Sequence, residues 1–149
     1  MENLIPSYIS LDINITSKTD VIKFLVDQLY YLGKIKNKEH YLKAVLDREN
    51  LLSTYCGYGI AIPHAECDEV IESSFAFGRT SGLIWDEGDE LAQFVILLAI
   101  PTGKVGEENS HIEMMSEVAK LALEEDIRAK WLSATSEKEI VSTFNKVQS

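Results

Sequence analysis

Leu91-Ala92-Gln93-Phe94-Val95-Ile96-Leu97-Leu98-Ala99-Ile100 is an almost unbroken apolar run, closed by Pro101. It is far too short to span a bilayer, which takes about 20 apolar residues. A strand with one wet face alternates apolar and polar residues, whereas a continuous run marks a strand buried on both faces. The run therefore implies a central strand in a sheet that helices cover on each side.

The segments around it fit that architecture. Residues 8–15 alternate well enough for a short strand, and residues 75–79 read as another. Thr16 or Ser17 offers an N-cap for a helix over residues 21–32 that stops at Gly33, and Asn37 can cap the next helix. In that second helix Tyr41, Leu42, Val45 and Leu46 fall on one face, which brings Arg48 and Glu49 to its C-terminal end. Ser110-His111-Ile112-Glu113 has the form of a capping box, with Ser110 as N-cap, and Ile112, Met115, Val118, Ala119 and Ala122 give the helix one apolar face. A second capping box from Ser136 to Glu139 opens a last helix carrying Ile140, Val141 and Phe144. Strands and helices are interspersed, so the expected fold is an α/β sandwich with helices on both faces.

Composition narrows the class. A chain of 149 residues, 46% hydrophobic, suits one substantial core, so residues 1–149 are expected to form a single domain. A net charge of −10 with scattered basic residues argues against a nucleic-acid partner, which requires clustered Lys and Arg. Met1 is not followed by a charged-then-apolar leader, and a soluble cytoplasmic protein is expected. Cys56 and Cys67 form neither a CxxC pair nor a disulfide framework, so both are read as reduced thiols.

Three histidines could carry chemistry. His40 lies off the apolar face of its helix, beside Glu39, and reads as an ordinary surface residue. His64 closes Gly57-Tyr58-Gly59-Ile60-Ala61-Ile62-Pro63-His64. Two glycines allow a sharp turn, residues 60–62 read as a short buried strand, and Pro63 is expected to end its pairing and fix the chain direction at the imidazole. His111 falls in the first turn of a helix, where the dipole favours neutral imidazole and free amides can hold an anion. Both follow expected strands by a few residues, where sites form in open α/β sheets, and they could meet.

Arg48-Glu49, Ser53-Thr54 and Gly57-x-Gly59-Ile60-Ala61-Ile62-Pro63-His64 closely resemble the active-site signature of the fructose/mannitol/nitrogen-related IIA family of the bacterial phosphotransferase system. The likeness continues through Leu97-Leu98-Ala99-Ile100-Pro101, the His111 helix and residues 126–140, nearly the whole chain. The resemblance implies a single-domain, mixed-sheet α/β sandwich and a phosphoryl carrier. His64 is then the phosphorylated residue: its Nε2 attacks the phosphohistidine of HPr and later donates to a IIB component, while His111 and Arg48 line the site and offset negative charge. A membrane IIC component is an indirect partner, and the sugar, fructose or a related hexose or hexitol, is not bound directly. No metal or cofactor is required. Thr54 could donate a hydrogen bond to imidazole or phosphate, or satisfy turn backbone instead.

The sequence departs from the family pattern beyond the histidine. Ala65 is followed by Glu66, with Asp68 and Glu69 close behind, and a carboxylate there repels a phosphohistidine unless it turns away or pairs with a basic residue such as Arg79. The acidic stretch can also be a plain solvated face. Tyr58 replaces a small or polar residue between the glycines. Two other functions remain open at this level. The chain could be a regulatory, nitrogen-type IIA-like protein acting through phosphorylation-dependent binding, although residues 83–86, 91–100 and 126–136 lean toward sugar transport. Cys56, His64, Cys67 and His111 could instead be the ligands of a zinc-stabilised binding module.

Overall fold

The sheet is assembled around β6 (Ala92–Pro101), the run quoted above. A computed structural model describes residues 4–103 and 108–145, with only the backbone of 108–112. Around β6 stand β1 (Tyr8–Ile13), β2 (Tyr55–Gly57), β3 (Ile60–Ala61), β4 (His64–Cys67) and β5 (Ser74–Leu83). The helices are α1 (Lys18–Tyr31), α2 (Lys38–Leu51), α3 (Glu108–Ala122), α4 (Glu125–Ser133) and α5 (Glu137–Asn145). The strand order is β1-β5-β6-β3-β2, with β4 also paired to β6. β5 runs antiparallel to β6, while β3 and β4 run parallel to it and β1 parallel to β5, so the sheet is mixed, as expected.

β6 is buried on both faces for the reason its composition suggests. Phe94, Ile96, Leu98 and Ile100 enter a core with Phe75, Phe77, Met114, Val118, Trp131 and Phe144, on the side of α3, α4 and α5. Val95, Leu97 and Ala99 enter the opposite core with Val21, Ile22, Leu25, Tyr41 and Val45 of α1 and α2. The first core is aromatic: the Trp131 ring lies 5.2 Å from Phe77, 5.6 Å from Phe94 and 5.7 Å from Phe144, centroid to centroid. The second holds α1 close to the sheet, and a Cβ on Gly78 would meet Ile13 Cδ1 at 2.6 Å.

The local signals set the helix ends. Ser17 caps α1 by accepting from the Asp20 amide, and Gly33, at φ +79°, follows the helix end. Asn37 caps α2 through the His40 amide at 3.1 Å. At α5, Glu139 accepts from the Ser136 amide at 2.9 Å, the returning half of the expected box.

Three expectations change. Pairing does not end at Pro63: its carbonyl accepts from the Leu98 amide at 3.0 Å, and β4 then continues beside β6 with His64 opposite Leu98. Proline lacks a donor but keeps its acceptor, so a strand can restart directly after it. α3 begins at Glu108, which puts Ser110 inside the helix instead of at its cap. Arg79 does not pair with Glu66. It donates to the Leu11, Trp131 and Ala134 carbonyls at 2.9, 3.0 and 2.7 Å, where buried backbone acceptors at the end of α4 need its fork.

Candidate functional site

His64 opens β4 at the edge of the sheet, on the strand face turned to α3, and its position follows from the turn before it. Gly57, Tyr58 and Gly59 all adopt positive φ, at +89°, +57° and +77°, and this tight reversal joins β2 to β3. At Gly59 a Cβ would crowd the Leu91 carbonyl at 3.3 Å, and the Gly59 amide donates to the Tyr55 hydroxyl at 2.9 Å. β3 then enters the sheet beside Phe94 and Val95, and Pro63 delivers the imidazole half-exposed to the rim.

The imidazole is oriented by its own chain. Nδ1 of His64 lies 3.0 Å from the Ile62 carbonyl, an acceptor only, so Nδ1 carries the proton and Nε2 keeps its lone pair. Arg48, Ser53, Thr54, Cys56, Met115 and Ala119 are among the residues that line a cavity of about 250 Å3 with His64. Arg48 comes from the last turn of α2 and gives one guanidinium N–H to the Leu52 carbonyl at 2.7 Å. The structure thus brings His64, Arg48 and Thr54 together. His111 falls within α3, ahead of Met115, and its side chain lies outside the described residues.

Thr54 lines the cavity, but both of its donors are turned to one neighbour. Its hydroxyl donates to Glu49 Oε1 at 2.5 Å and its amide to Glu49 Oε2 at 2.9 Å, so its proton is taken by a carboxylate instead of the imidazole. Glu49, which the sequence reading named only beside Arg48, is the residue that organises this wall. It is buried, and it also accepts from Trp85 Nε1 at 3.1 Å and pairs with Lys18 at 3.1 Å. Lys18 in turn reaches Asp86 at 3.4 Å, and Asp86 accepts from the Ser53 hydroxyl. Burial alone would raise the Glu49 carboxyl, but the Thr54 hydroxyl and amide, then Lys18, outweigh it and hold the group below its ordinary range. This network braces the cavity wall formed by residues 53–56. Its available signal was Arg48-Glu49 at a helix end immediately before Ser53-Thr54.

Cys56 also lines the cavity, but burial first and then the Glu49 charge push its thiol up, so it stays protonated at neutral pH. Both cysteines are free, as expected. The zinc reading fails on geometry: Cys67 packs against the α1/α2 core, on the opposite face of β4 from His64. Among the described residues no three His, Cys, Asp or Glu side chains gather as metal ligands. His40 is exposed, 3.8 Å from Glu69, as a surface residue should be.

A family model described as phosphoenolpyruvate-dependent sugar phosphotransferase system, EIIA 2, matches residues 2–147. The chain belongs to this family. It is 36% identical over 140 residues to the PTS system fructose-specific EIIABC component of Bacillus subtilis, a match over 93% of this chain and 22% of that protein. The chain thus spans about a fifth of the length of that relative. The fructose-specific EIIA component of Haloferax volcanii is 30% identical over 93% of this chain and 90% of its own. Among solved structures, the fold matches Escherichia coli enzyme IIA mannitol in its complex with phosphorylated enzyme IIB mannitol, with a TM-score of 0.77 and 28% identity over 91% and 92% of the two chains. The EIIA assignment and the mixed α/β fold agree with the sequence reading. Among the described residues of this EIIA chain, no helix is long and apolar enough to cross a membrane.

Proposed function

We propose that residues 1–149 form one EIIA domain that carries phosphoryl groups in a sugar phosphotransferase system, with His64 as the carrier residue. The observation that carries this reading is the 3.0 Å contact between His64 Nδ1 and the Ile62 carbonyl, which leaves the Nε2 lone pair free at a cavity that Arg48 also lines. Phosphoryl transfer asks little covalent chemistry of a protein beyond an in-line nucleophile and cations near the equatorial oxygens. Nε2 attacks the phosphorus of phospho-HPr. The P–N bond to the donor breaks, and its electron pair stays on the donor nitrogen. The proton stays on Nδ1, donated to the Ile62 carbonyl throughout, so the step needs no proton transfer and no metal. Arg48 offsets charge on the transferred group, and His111 is assigned the same task from α3. Transfer onward to a IIB component reverses these events, with a membrane IIC component then moving a sugar such as fructose or a hexitol. The protein works in the cytoplasm in this scheme.

Incubation with phosphoenolpyruvate, enzyme I and HPr is expected to add one phosphoryl group, labile in acid and stable in base as a phosphoramidate is. His64→Gln is expected to abolish it. Labelling that survives in that variant, or wild-type protein that takes no label, refutes the assignment.

A further inference from the structure

We propose that Glu66 sets the phosphoryl-transfer potential of His64, raising the energy of the phosphorylated form so that the site releases what Arg48 helps it to accept. The inference rests on the carrier reading above. It starts from the alternation of β4. His64 pairs with Leu98 and Glu66 with Ile100, and both partners belong to the α3-facing core; Ala65 and Ala99, between them, belong to the core under α1 and α2. His64 and Glu66 are therefore neighbours on one face of an edge strand, about 7 Å apart along the chain. Arg48, His64, Glu66, Ile100 and Met115 line a second cavity of about 390 Å3. Arg48 and His64 belong to both cavities, so the guanidinium and the imidazole stand where the two meet.

Glu66 is exposed and has no hydrogen bond or ion pair among the described residues, while Arg79, the cation nearest in expectation, is committed to backbone carbonyls. Its neighbours in the acidic stretch are engaged: Asp68 accepts from Thr102, Glu69 faces His40, and Glu72 pairs with Lys34. Of these four carboxylates, the one that shares the β4 face of His64 is thus, among the described residues, the one without such a partner. A carrier that only attracted phosphate would become a sink. Arg48 pulls the phosphoryl group in, and Glu66 opposes it.

The charge arithmetic makes the effect measurable. Transfer forms the P–Nε2 bond from the imidazole lone pair and breaks the donor's P–N bond, and because the Nδ1 proton stays in place the site gains one formal negative charge. Two unit charges about 8 Å apart, at an effective dielectric between about 80 and 20, shift an equilibrium by roughly twofold to thirtyfold. At an exposed edge salt must weaken this coupling within a Debye length of about 10 Å at 0.1 M.

The test is the equilibrium between phospho-HPr and this protein after enzyme I is removed, read as the phosphorylated fraction of each. Glu66→Gln is expected to shift it at least about twofold toward the phosphorylated carrier at low salt, and less in 1 M salt. Glu66→Asp should restore the wild-type value. Glu72→Gln removes the same charge from the Lys34 pair, away from His64, and should leave the equilibrium unchanged. A shift under about twofold for Glu66→Gln, an equal shift for Glu72→Gln, or a shift indifferent to salt overturns the proposal. Phosphoramidate, a small donor that needs no HPr, separates the two levels. If it labels wild-type His64 while HPr does not, the carrier reading fails and the Glu66 coupling is still read, as faster labelling of Glu66→Gln. Labelling from neither donor overturns both.

Discussion

The two faces of the sheet are built from different chemistry. Beneath α3, α4 and α5 lies an aromatic layer whose polar contacts are few, the Trp131 indole donating to Thr143 at 2.8 Å being one. Beneath α1 and α2 the core is mostly aliphatic, with Tyr41 and Trp85 as its buried aromatics, and polar groups run through it: the Tyr41 hydroxyl reaches the Leu98 carbonyl at 2.8 Å, and Glu49 gathers Thr54, Trp85 and Lys18. Apolar burial is non-directional and supplies most of the stabilisation; buried hydrogen-bonded charge adds little net energy but fixes atoms in place. Both faces bury apolar cores and both stabilise the fold; the aromatic face concentrates its burial in a few large rings, while the polar face also holds the wall of the site where His64 and Arg48 meet.

The sharpest way to break that division is to remove one large side chain from the aromatic face. Trp131→Ala takes out a fully buried indole in contact with three other rings and is expected to cost about 3–5 kcal/mol. Urea unfolding measures it. His64 in the folded fraction should still accept phosphate, because Trp131 lines neither cavity beside it. A loss under about 1 kcal/mol would show that stability lies elsewhere.

Glu49→Gln tests the other face. It keeps the shape but leaves Lys18 and the Thr54 donors facing a neutral amide, at an expected cost of about 2–3 kcal/mol at neutral pH. The sign with pH follows from a carboxyl held below its ordinary value of 4.5: its stabilisation is complete above that value and is lost as pH falls through the lower folded one. The gap between wild type and variant should therefore close on acidification below about pH 4, in equilibrium unfolding at matched salt. A gap that stays constant with pH would mean that the charge of Glu49 contributes nothing.

These two faces were unequally legible in the sequence. The doubly buried strand, the caps at Ser17 and Asn37 and the Pro63-His64 element are local patterns, and local patterns survive in a linear string. Glu49 is different. On a helix of mean polar character it looks like one more solvated residue, and its burial depends on Trp85, 36 positions away, which no periodicity announces. The partner of Thr54 was hidden for the same reason, because the carboxylate that takes its proton was not recognised as buried. β4 escaped notice because a four-residue strand containing His and Glu carries no apolar pattern; its pairing to β6 supplies its order.

Arg48 sharpens the comparison at the point where the two walls meet. Its guanidinium has one described bond, to an exposed carbonyl, so Arg48→Ala should change stability by less than about 1 kcal/mol. Transfer from phospho-HPr should slow by about tenfold to a hundredfold, toward the low end for loss of a positioned donor because the site is open to water. Rapid-quench single turnovers read the rate. An unfolded variant would instead make Arg48 part of the brace that Glu49 provides.

The smallest effect expected is at Tyr58, where three modest terms nearly cancel. Its φ of +57° puts a non-glycine residue in the left-handed region, which costs about 1–2 kcal/mol and which glycine would relieve. Against that, the ring stacks beneath the Arg128 guanidinium of α4, 4.2 Å from centroid to Cζ, a contact worth about 0.5–1 kcal/mol at a surface site. Glycine also loosens the unfolded chain by a further 0.4–1 kcal/mol or so. Tyr58→Gly should therefore shift stability by less than about 1 kcal/mol in either direction. Tyr58→Ala keeps the strain and loses the ring, so it should be the less stable of the two. The order of these two variants in urea is the decisive reading. If alanine proves the more stable, the turn is not strained. If both lose more than about 2 kcal/mol, the Tyr58–Arg128 contact ties the α4 side of the molecule to the turn that sets His64, and the aromatic face has a hand in positioning after all.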